Sequence, residues 1–317
     1  MGIKLIKGSD EYSYKQLPAL VFVHGAWHGA WCWQEHFMPF FAKYGFDCYT
    51  FDLPNHGDFK NISGINKYRV KDYVDYLKMV VRQLDKPFVL VGHSMGGYIV
   101  QKYLEKNDCA GAVLLASVPG NGIWRLFFKM WTTSTLSMIK MFAGLDMYQL
   151  INTPEKAMHF FFSKNMPLSK VEEYLAKMGP ESLNIMVKDF LLKKLKSKKS
   201  PTIPVLVQCA AKDAIITVGE NKHTARVQNA DFQLLRELAH DMMLEINWQQ
   251  SAKRMLEWLE DKYAQPKPAV ETSPTPPKLN VAFPSAVPDL ITNLVDRKEV
   301  ETKDAKKGVI KKPDRNN

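Results

Sequence analysis

The chain has few cysteines, and their spacing argues against two kinds of site. Only four occur in 317 residues, and none forms a Cys-x-x-Cys pair: Cys32, Cys48, Cys109 and Cys209. This pattern does not suit a disulfide framework, and no cysteine and histidine fall at the spacing of metal ligands. We therefore expect buried free thiols in a reducing compartment, with no metal and no cofactor.

Long apolar runs are also missing. No run approaches the roughly 18 residues of a membrane span, and the N-terminus has no apolar stretch long enough for a signal peptide. Ile6 stands where a myristoylation pattern has Ser or Thr. These features predict a soluble, cytoplasmic protein. With 46% apolar residues, the chain can bury a large core in one domain or two.

Acidic residues are fewer than basic ones, 33 against 43, and the resulting net charge of +10 is unevenly spread along the chain. Residues 188–199 hold six lysines and one aspartate. A solvated helix end explains such a run, and so does peripheral contact with an anionic membrane surface through Lys193–Lys199. The run lacks the aromatic and arginine pattern of nucleic-acid binding, so we expect no nucleic-acid partner.

Short β-rich runs alternate with helical patterns along much of the chain, which predicts an α/β fold with a mostly parallel sheet and flanking helices. Strands are predicted at residues 20–23, 46–51, 88–91, 111–115, 204–208 and 231–235. Helices are predicted at residues 31–43, 68–84, 95–106 and 248–263.

The alternation stops between residues 120 and 200, where the pattern is helical and contains no strand. This predicts a helical cap, or lid, inserted into a core formed by residues 1–119 and 201–263. Eight of the fifteen methionines lie in the insertion, together with many aromatic residues. They can pack on the sheet or line an adaptable apolar pocket. The candidate pocket residues are Trp27, Trp124, Phe128 and Trp131.

The C-terminal segment, residues 264–317, differs from the rest of the chain. Eight of the eighteen prolines lie there, mixed with charged residues. Such a segment cannot bury enough apolar surface to offset its ordering entropy, so we predict a disordered tail.

The most informative motif is Gly92-His93-Ser94-Met95-Gly96, which follows an apolar run and opens a helical pattern. A Gly-x-Ser-x-Gly turn between strand and helix is a nucleophile elbow, which lifts the serine hydroxyl clear of the sheet. The Met95 N–H at the start of the helix can then receive an oxyanion. The same pentapeptide occurs by chance in about one chain of this length in ten, as a simple Gly-rich turn. The rest of the sequence must therefore decide between a nucleophile elbow and a simple Gly-rich turn.

A base and an acid stand at suitable places. His240 follows the last predicted strand and precedes the last helix, and Asp213 lies just past the carboxyl end of a strand, where open α/β sheets place their sites. The order Ser94, Asp213, His240 is the α/β-hydrolase order. Asp241 ranks below Asp213 because a side chain adjacent to His240 points elsewhere in most backbone conformations. The second oxyanion donor is expected at Ala26, and His24 is expected to form structural hydrogen bonds.

With these motifs in place, residues 18–263 resemble the α/β-hydrolase superfamily. The stretch from Val21 to Trp33 is similar to the subgroup of plant methylesterases and cofactor-free hydroxynitrile lyases, and Asp52-Leu53-Pro54-x-x-Gly57 matches a turn of the superfamily. The resemblance implies an oxyanion hole formed by the Ala26 and Met95 amides. The lyases carry a lysine immediately after the catalytic histidine or two residues from it. Asp241-Met242 stand here instead, which favours hydrolysis.

The expected function is a serine hydrolase that cleaves a carboxylic ester of a small to medium apolar substrate. Ser94 attacks the carbonyl, His240 takes its proton, Asp213 orients the imidazole, and an acyl-enzyme forms. Other serine-triad chemistry remains open, such as thioester cleavage, perhydrolysis or C–C bond hydrolysis. A small-molecule receptor that uses the same pocket is the alternative from another class.

Overall fold

The computed structural model describes residues 2–263 except 13–15, 61–63, 134, 145, 193–194 and 196–201. The chain divides into two units, Met1–Pro266 and Lys267–Asn317. The predicted tail, residues 264–317, lies outside the described residues. Of the Lys193–Lys199 run only Leu195 is described.

Seven strands form one sheet in the order β1-β3-β2-β4-β5-β6-β7. Only β1 runs antiparallel, against β3, and the other neighbours pair in parallel. The predicted α/β class with a mostly parallel sheet is confirmed. The strands are β1 Ile3–Ile6, β2 Ala19–Val23, β3 Cys48–Phe51, β4 Phe88–His93, β5 Gly111–Leu115, β6 Val205–Ala210 and β7 Asp231–Leu235.

The central strands are buried from end to end, which is why they read as continuous apolar runs in the sequence. Every residue of β2, β5 and β6 is buried. The edge strand β1 was not predicted, because its four half-exposed residues give too short a pattern. Helix α9 was also missed, because few of its residues are apolar. Its N-terminus is marked by a capping box between Thr217 and Glu220.

The described chain also contains ten α-helices and a π-helical turn, Ile185–Leu191. The predicted helix over 31–43 is two helices, broken at Glu35 and His36. The helices are α1 Trp31–Gln34, α2 Phe37–Lys43, α3 Val70–Val81, α4 Met95–Leu104, α5 Trp124–Thr133, α6 Thr135–Gly144, α7 Pro154–Phe161, α8 Leu168–Lys177, α9 Val218–Gln228 and α10 Gln249–Tyr263.

Helices α5 to α8 and the π-helical turn all lie between β5 and β6, and the described residues between these two strands include no strand. We call this segment, residues 120–192, the helical insertion. Its separation from the core at residues 119 and 201 stays a prediction. Among the described residues, no helix combines the length and apolarity that crossing a bilayer requires.

Two glycines allow the turn between β4 and α4 to form. A Cβ on Gly92 would lie 2.6 Å from the carbonyl oxygen of Gly96, and one on Gly96 would lie 2.2 Å from that of Val23. Both obstacles are backbone atoms, which cannot rotate away as a side-chain end can. The start of α4 therefore packs directly against β2 and β4, and any larger residue would force them apart.

We predict that Gly96→Ala lowers the free energy of unfolding by about 3 kcal/mol or more, because the methyl group must displace the backbone of β2. For a chain of this size the melting temperature should fall by about 6–12 °C. Gly219→Ala is the matched control, since the nearest atom to its Cβ is a hydroxyl at 4.0 Å. That variant should be neutral or up to about 1 kcal/mol more stable. Equal melting temperatures for the two variants in a thermal scan would contradict the packing argument.

Candidate active site

Ser94 occupies a strained turn at the end of β4. Its φ of 51° and ψ of −116° lie outside the regions that residues with a side chain favour. Three backbone hydrogen bonds hold it there: its N–H donates to Leu115 O at 3.0 Å, and its carbonyl accepts from Tyr98 and Val118. The side chain is 8% exposed and lines a cavity.

His240 and Asp213 form a buried hydrogen-bonded pair. Nδ1 of His240 lies 2.8 Å from Oδ2 of Asp213, and both side chains are 1% exposed. The other carboxylate oxygen accepts the N–H groups of Ile215 and Ile216 at 2.7 and 2.9 Å. These two amides fix the carboxylate, and the carboxylate fixes the orientation of the imidazole.

The pKa of the His240 imidazole is raised above its ordinary value. Burial alone would lower this pKa, because it penalises the charged ring, but the carboxylates of Asp213 and, to a smaller extent, Asp241 together more than offset burial. The ring lies 4.8 Å, centroid to centroid, from that of His93, the residue before Ser94. Phe161, at the end of α7, also stacks on the ring, with its centroid at 6.2 Å. His240 is thus confined between β4 and the helical insertion.

Asp241 points away from the His240–Asp213 pair and forms a second buried pair with His28. Its Oδ2 lies 3.0 Å from Nε2 of His28, and its Oδ1 lies 3.6 Å from Nε2 of His93. Burial would raise the pKa of this carboxyl, but His28 and His93 hold it below its ordinary value. For His93, burial is the leading cause that lowers the pKa to about 3, so this ring is neutral.

His93, His240 and Asp241 also offer the closest set of metal-ligand atoms in the described chain, all within 4.8 Å of one another. His240 is held by Asp213 and Asp241 by His28. The Nε2 of His93 donates to the carbonyl of His240 at 3.0 Å. These hydrogen bonds join the three residues in a network that supports the loop after β7.

The loop after β2 faces Ser94 across the cavity. Ala26, Trp27 and Met95 line the same cavity as Ser94. Met95 is the first residue of α4, so its N–H has no acceptor within the helix. The Gly25 carbonyl accepts from Nδ1 of His24 at 2.8 Å, which orients the peptide unit that carries the Ala26 N–H. This arrangement can offer two amide donors to an oxygen bound at Ser94.

His24 and Asp52 hold that loop in place. Nε2 of His24 accepts the Leu53 N–H at 3.0 Å, and its Nδ1 donates to the carbonyl of Gly25. Burial keeps the pKa of His24 well below its ordinary value, so the ring is neutral. The Asp52 carboxylate accepts the Ala30 N–H at 2.7 Å. The loops after β2 and β3 are therefore joined by side-chain hydrogen bonds, as expected of a structural histidine.

The cavity beside Ser94 contains about 610 Å³ of space that no atom fills, open solvent at its mouth included, and its walls are almost wholly apolar. The helical insertion supplies most of the lining: Ile123, Leu126, Met147, Leu150, Ile151, Phe160, Ile185, Met186 and Phe190. Val118 and Ile215 complete the apolar wall from the loops after β5 and β6. Such a site can hold an apolar group next to the serine hydroxyl.

One ionisable pair interrupts the apolar wall. Glu181 lines the cavity and is 2% exposed, and its Oε2 lies 2.9 Å from Nε2 of His56. Burial would lower the pKa of His56, but Glu181 raises it above its ordinary value. The other oxygen of Glu181 accepts the N–H of Ser182. Both carboxylate oxygens are therefore satisfied within the protein.

Three of the four candidate pocket residues require a correction. Trp27 lines the cavity, but Trp124, Phe128 and Trp131 do not; their side chains are 54%, 71% and 45% exposed. They share the outer stripe of α5, spaced four and three residues apart. The opposite side of the helix carries Leu126, which lines the cavity, so the helix turns the predicted residues away from Ser94.

Sequence reasoning also passed over residues that the fold brings to this site. Phe161 contacts the rings of Trp27, His28 and His240, with centroids 5.5 to 6.2 Å away. His28 and Asp241 are 213 positions apart in the chain, so only the fold reveals their pair. The aromatic run at residues 160–162 was the available signal for Phe161, but it does not say which ring points inward.

Comparison with known proteins gives a consistent family match. A model described as "Alpha/beta hydrolase family" matches residues 20–258. The chain is 36% identical to Norfluorocurarine synthase 1 of Strychnos nux-vomica over 117 residues, 33% of this chain and 40% of that protein. It is 38% identical to Methylesterase 9 of Arabidopsis thaliana over 85 residues, 24% of this chain and 30% of that protein. The matched stretches thus span less than half the length of these curated relatives.

Solved structures share the fold over much more of the chain. A methylesterase, MES16, from Arabidopsis superposes with a TM-score of 0.59 at 20% identity, covering 77% of this chain and all of the other. A thermophilic esterase from Thermogutta terrifontis superposes with a TM-score of 0.61 at 18% identity, covering 83% of this chain and 93% of the other. At these identities the likeness concerns the fold.

Proposed function

Because the chain belongs to the alpha/beta hydrolase family, we propose that it is a serine hydrolase that cleaves a carboxylic ester through an acyl-enzyme. The observation that carries this proposal is the buried His240–Asp213 pair, 2.8 Å between nitrogen and oxygen, packed against the residue before Ser94. The names of the matched relatives support ester cleavage, since methylesterases are among them.

In the proposed mechanism, Ser94 Oγ attacks the ester carbonyl as the imidazole of His240 takes its proton. The carbonyl oxygen becomes an oxyanion, which the N–H groups of Ala26 and Met95 receive. His240 then gives the proton to the departing alkoxide, which leaves as an alcohol. A water molecule, deprotonated by His240, attacks the acyl-enzyme, and the returned proton restores Ser94.

The charges of the site suit this cycle. His240 must become an imidazolium in the transition state, and Asp213 stabilises that cation inside a buried site, where a hydrogen-bonded charge pair is strong. His93 stays neutral, so no second cation faces the imidazolium from β4. The strained Ser94 backbone is the expected cost of presenting a hydroxyl at the start of a helix.

The proposed substrate is small to medium and apolar on at least one side of the ester. Methionine, isoleucine and leucine side chains of the helical insertion line the cavity, and methionine adapts its shape at little cost. In this proposal the insertion is the cap, because it supplies most of the wall around the serine. Phe161 of the cap also packs against the ring of His240.

Ser94→Ala should abolish hydrolysis of p-nitrophenyl esters, with a loss of roughly 10⁶ in kcat, and should abolish labelling by a fluorophosphonate probe. Ser182→Ala is the matched control, because Ser182 lines the same cavity but its hydroxyl donates to the carbonyl of Tyr68. It should keep the label. If the label persists on Ser94→Ala, another serine is the nucleophile. Labelling without ester turnover would instead favour a different serine chemistry or a receptor.

Asp213→Asn should lower kcat by roughly 10⁴ because it presents the wrong imidazole tautomer to Ser94. In the wild type, kcat/KM should rise with pH as His240 loses its proton, with a midpoint above about 6.5 because Asp213 raises this pKa. The midpoint should fall in Asp213→Asn. Asp241→Asn is the comparison, since Asp241 pairs with His28 and should cost far less. The reverse ranking of the two variants, or a flat pH profile, would refute the assigned acid and base.

Wild-type kcat/KM should rise by roughly 10- to 200-fold from acetate to butanoate or hexanoate esters, because each CH₂ buried in the cavity contributes about 0.8 kcal/mol. Met186→Trp should reverse this preference by filling the cavity. Trp131→Ala should leave it unchanged, because Trp131 faces outward. A wild-type rate that falls steadily from acetate to hexanoate would rule out an acyl pocket.

A further inference from the structure

Helices α5 and α6 carry an apolar face that the described chain leaves uncovered. Five side chains form what we call the aromatic face: Trp124, Phe128, Trp131, Leu136 and Ile139. They are 45% to 71% exposed and make up five of the eleven large hydrophobic side chains exposed in the described residues. Four of them, Trp124, Phe128, Trp131 and Ile139, line one apolar surface groove together with Phe127 and Phe142. Soluble monomers rarely leave a contiguous surface of this kind without a function.

Packing on the core does not explain the aromatic face. Helix α5 already buries its other side, where Leu126 lines the Ser94 cavity beside Ile123, the residue that precedes the helix. A helix at the surface of a globular protein normally places polar side chains opposite its buried stripe. Here Trp124, Phe128 and Trp131 stand in that position. Contact with an apolar medium outside the protein explains these three residues better than packing on the core does.

The charge around the aromatic face is positive. Residues 120–145 contain three basic residues and no acidic one: Arg125, Lys129 and Lys140. Lys140 is exposed, whereas Arg125 is paired with Glu220 of α9 at 3.1 Å and Lys129 donates to the carbonyl of Ala214. At the other end, the N–H of Leu195 donates to the carbonyl of Gly120 at 2.8 Å. This bond holds Leu195 beside the segment that precedes α5.

From these observations we propose that the aromatic face is a docking surface for a lipid bilayer with anionic headgroups. Tryptophan and phenylalanine beside lysine and arginine are the composition of segments that lie in the bilayer interface, with rings among the acyl chains and cations at the phosphates. A second copy of this chain fits less well, since a symmetric contact would bring like charges together. Docking would bring the bilayer within about one helix diameter, 10–12 Å, of the Ser94 cavity.

The test is co-sedimentation of the full-length protein with vesicles of phosphatidylcholine, alone or with about one third phosphatidylserine. We expect binding to the anionic vesicles and a blue shift of tryptophan fluorescence. Raising the salt from about 0.1 M to about 1 M should weaken binding, because it shortens the Debye length from about 10 to about 3 Å. Phe128→Ser with Trp131→Ser should weaken the partition coefficient by roughly 10- to 100-fold. Lys140→Gln should weaken it about fivefold and reduce its salt dependence.

Leu168→Ser and Ile246→Ser are matched controls, since these side chains are 50% and 47% exposed and lie outside the aromatic face. They should bind as the wild type does. Thermal melting should show that all variants are folded. If the double variant is unfolded, the Phe128→Ser variant alone replaces it in the binding test. Binding that survives the aromatic substitutions would overturn the proposal and assign the attraction to other cationic segments. A dimer that the same substitutions dissociate, seen by light scattering without vesicles, would overturn it in favour of a second copy.

Discussion

The backbone of Ser94 is the constraint on which the rest of this structure depends. A residue with a side chain held at a φ of 51° persists only where its surroundings fix it. Here the fixing groups come from the end of β5, the loop after it and the first turn of α4. The contact requires glycine at positions 92 and 96, because backbone atoms of α4 and β2 occupy the space of a Cβ. The hydroxyl is therefore presented by close packing of the backbone.

Buried carboxylate–histidine pairs hold the surrounding loops around that turn. Asp213 pairs with His240, Asp241 with His28, and Glu181 with His56. The three pairs join the loop after β6 to the one after β7, the loop after β7 to the one after β2, and the helical insertion to the loop after β3. Burying such charges is costly unless each is hydrogen-bonded, and removing one partner of a pair costs more than the pair contributes. The pairs therefore specify one arrangement of the loops more than they add stability.

The helical insertion has two roles in this arrangement because its helices present two surfaces. One surface supplies the apolar wall of the cavity and places Phe161 against the ring of His240. The other, on α5 and α6, leaves aromatic side chains in solvent. A single amphipathic pattern cannot describe such a helix, because residues on both stripes are apolar. That is why apolar density in the sequence does not by itself say which residues line the cavity.

Local patterns in the sequence determined the class of fold and the candidate chemistry. Continuous apolar runs mark β2, β4 and β5, because strands covered on both faces need no polar residues. The Gly-x-Ser-x-Gly turn marks Ser94, and chain order relative to the strands singles out Asp213 and His240. The edge strand β1 and the polar helix α9 escaped detection because neither has a strong apolar period.

Only the tertiary structure decided what depends on residues far apart in the chain. In the folded chain, Asp241 pairs with His28. The side chains of Trp124, Phe128 and Trp131 face outward, whereas Ile185 and Met186 are among the apolar residues that line the cavity. The physical reason is that a strand or turn is specified by its own residues. The partner of a buried charge and the inner stripe of a helix are set by the elements that pack against them.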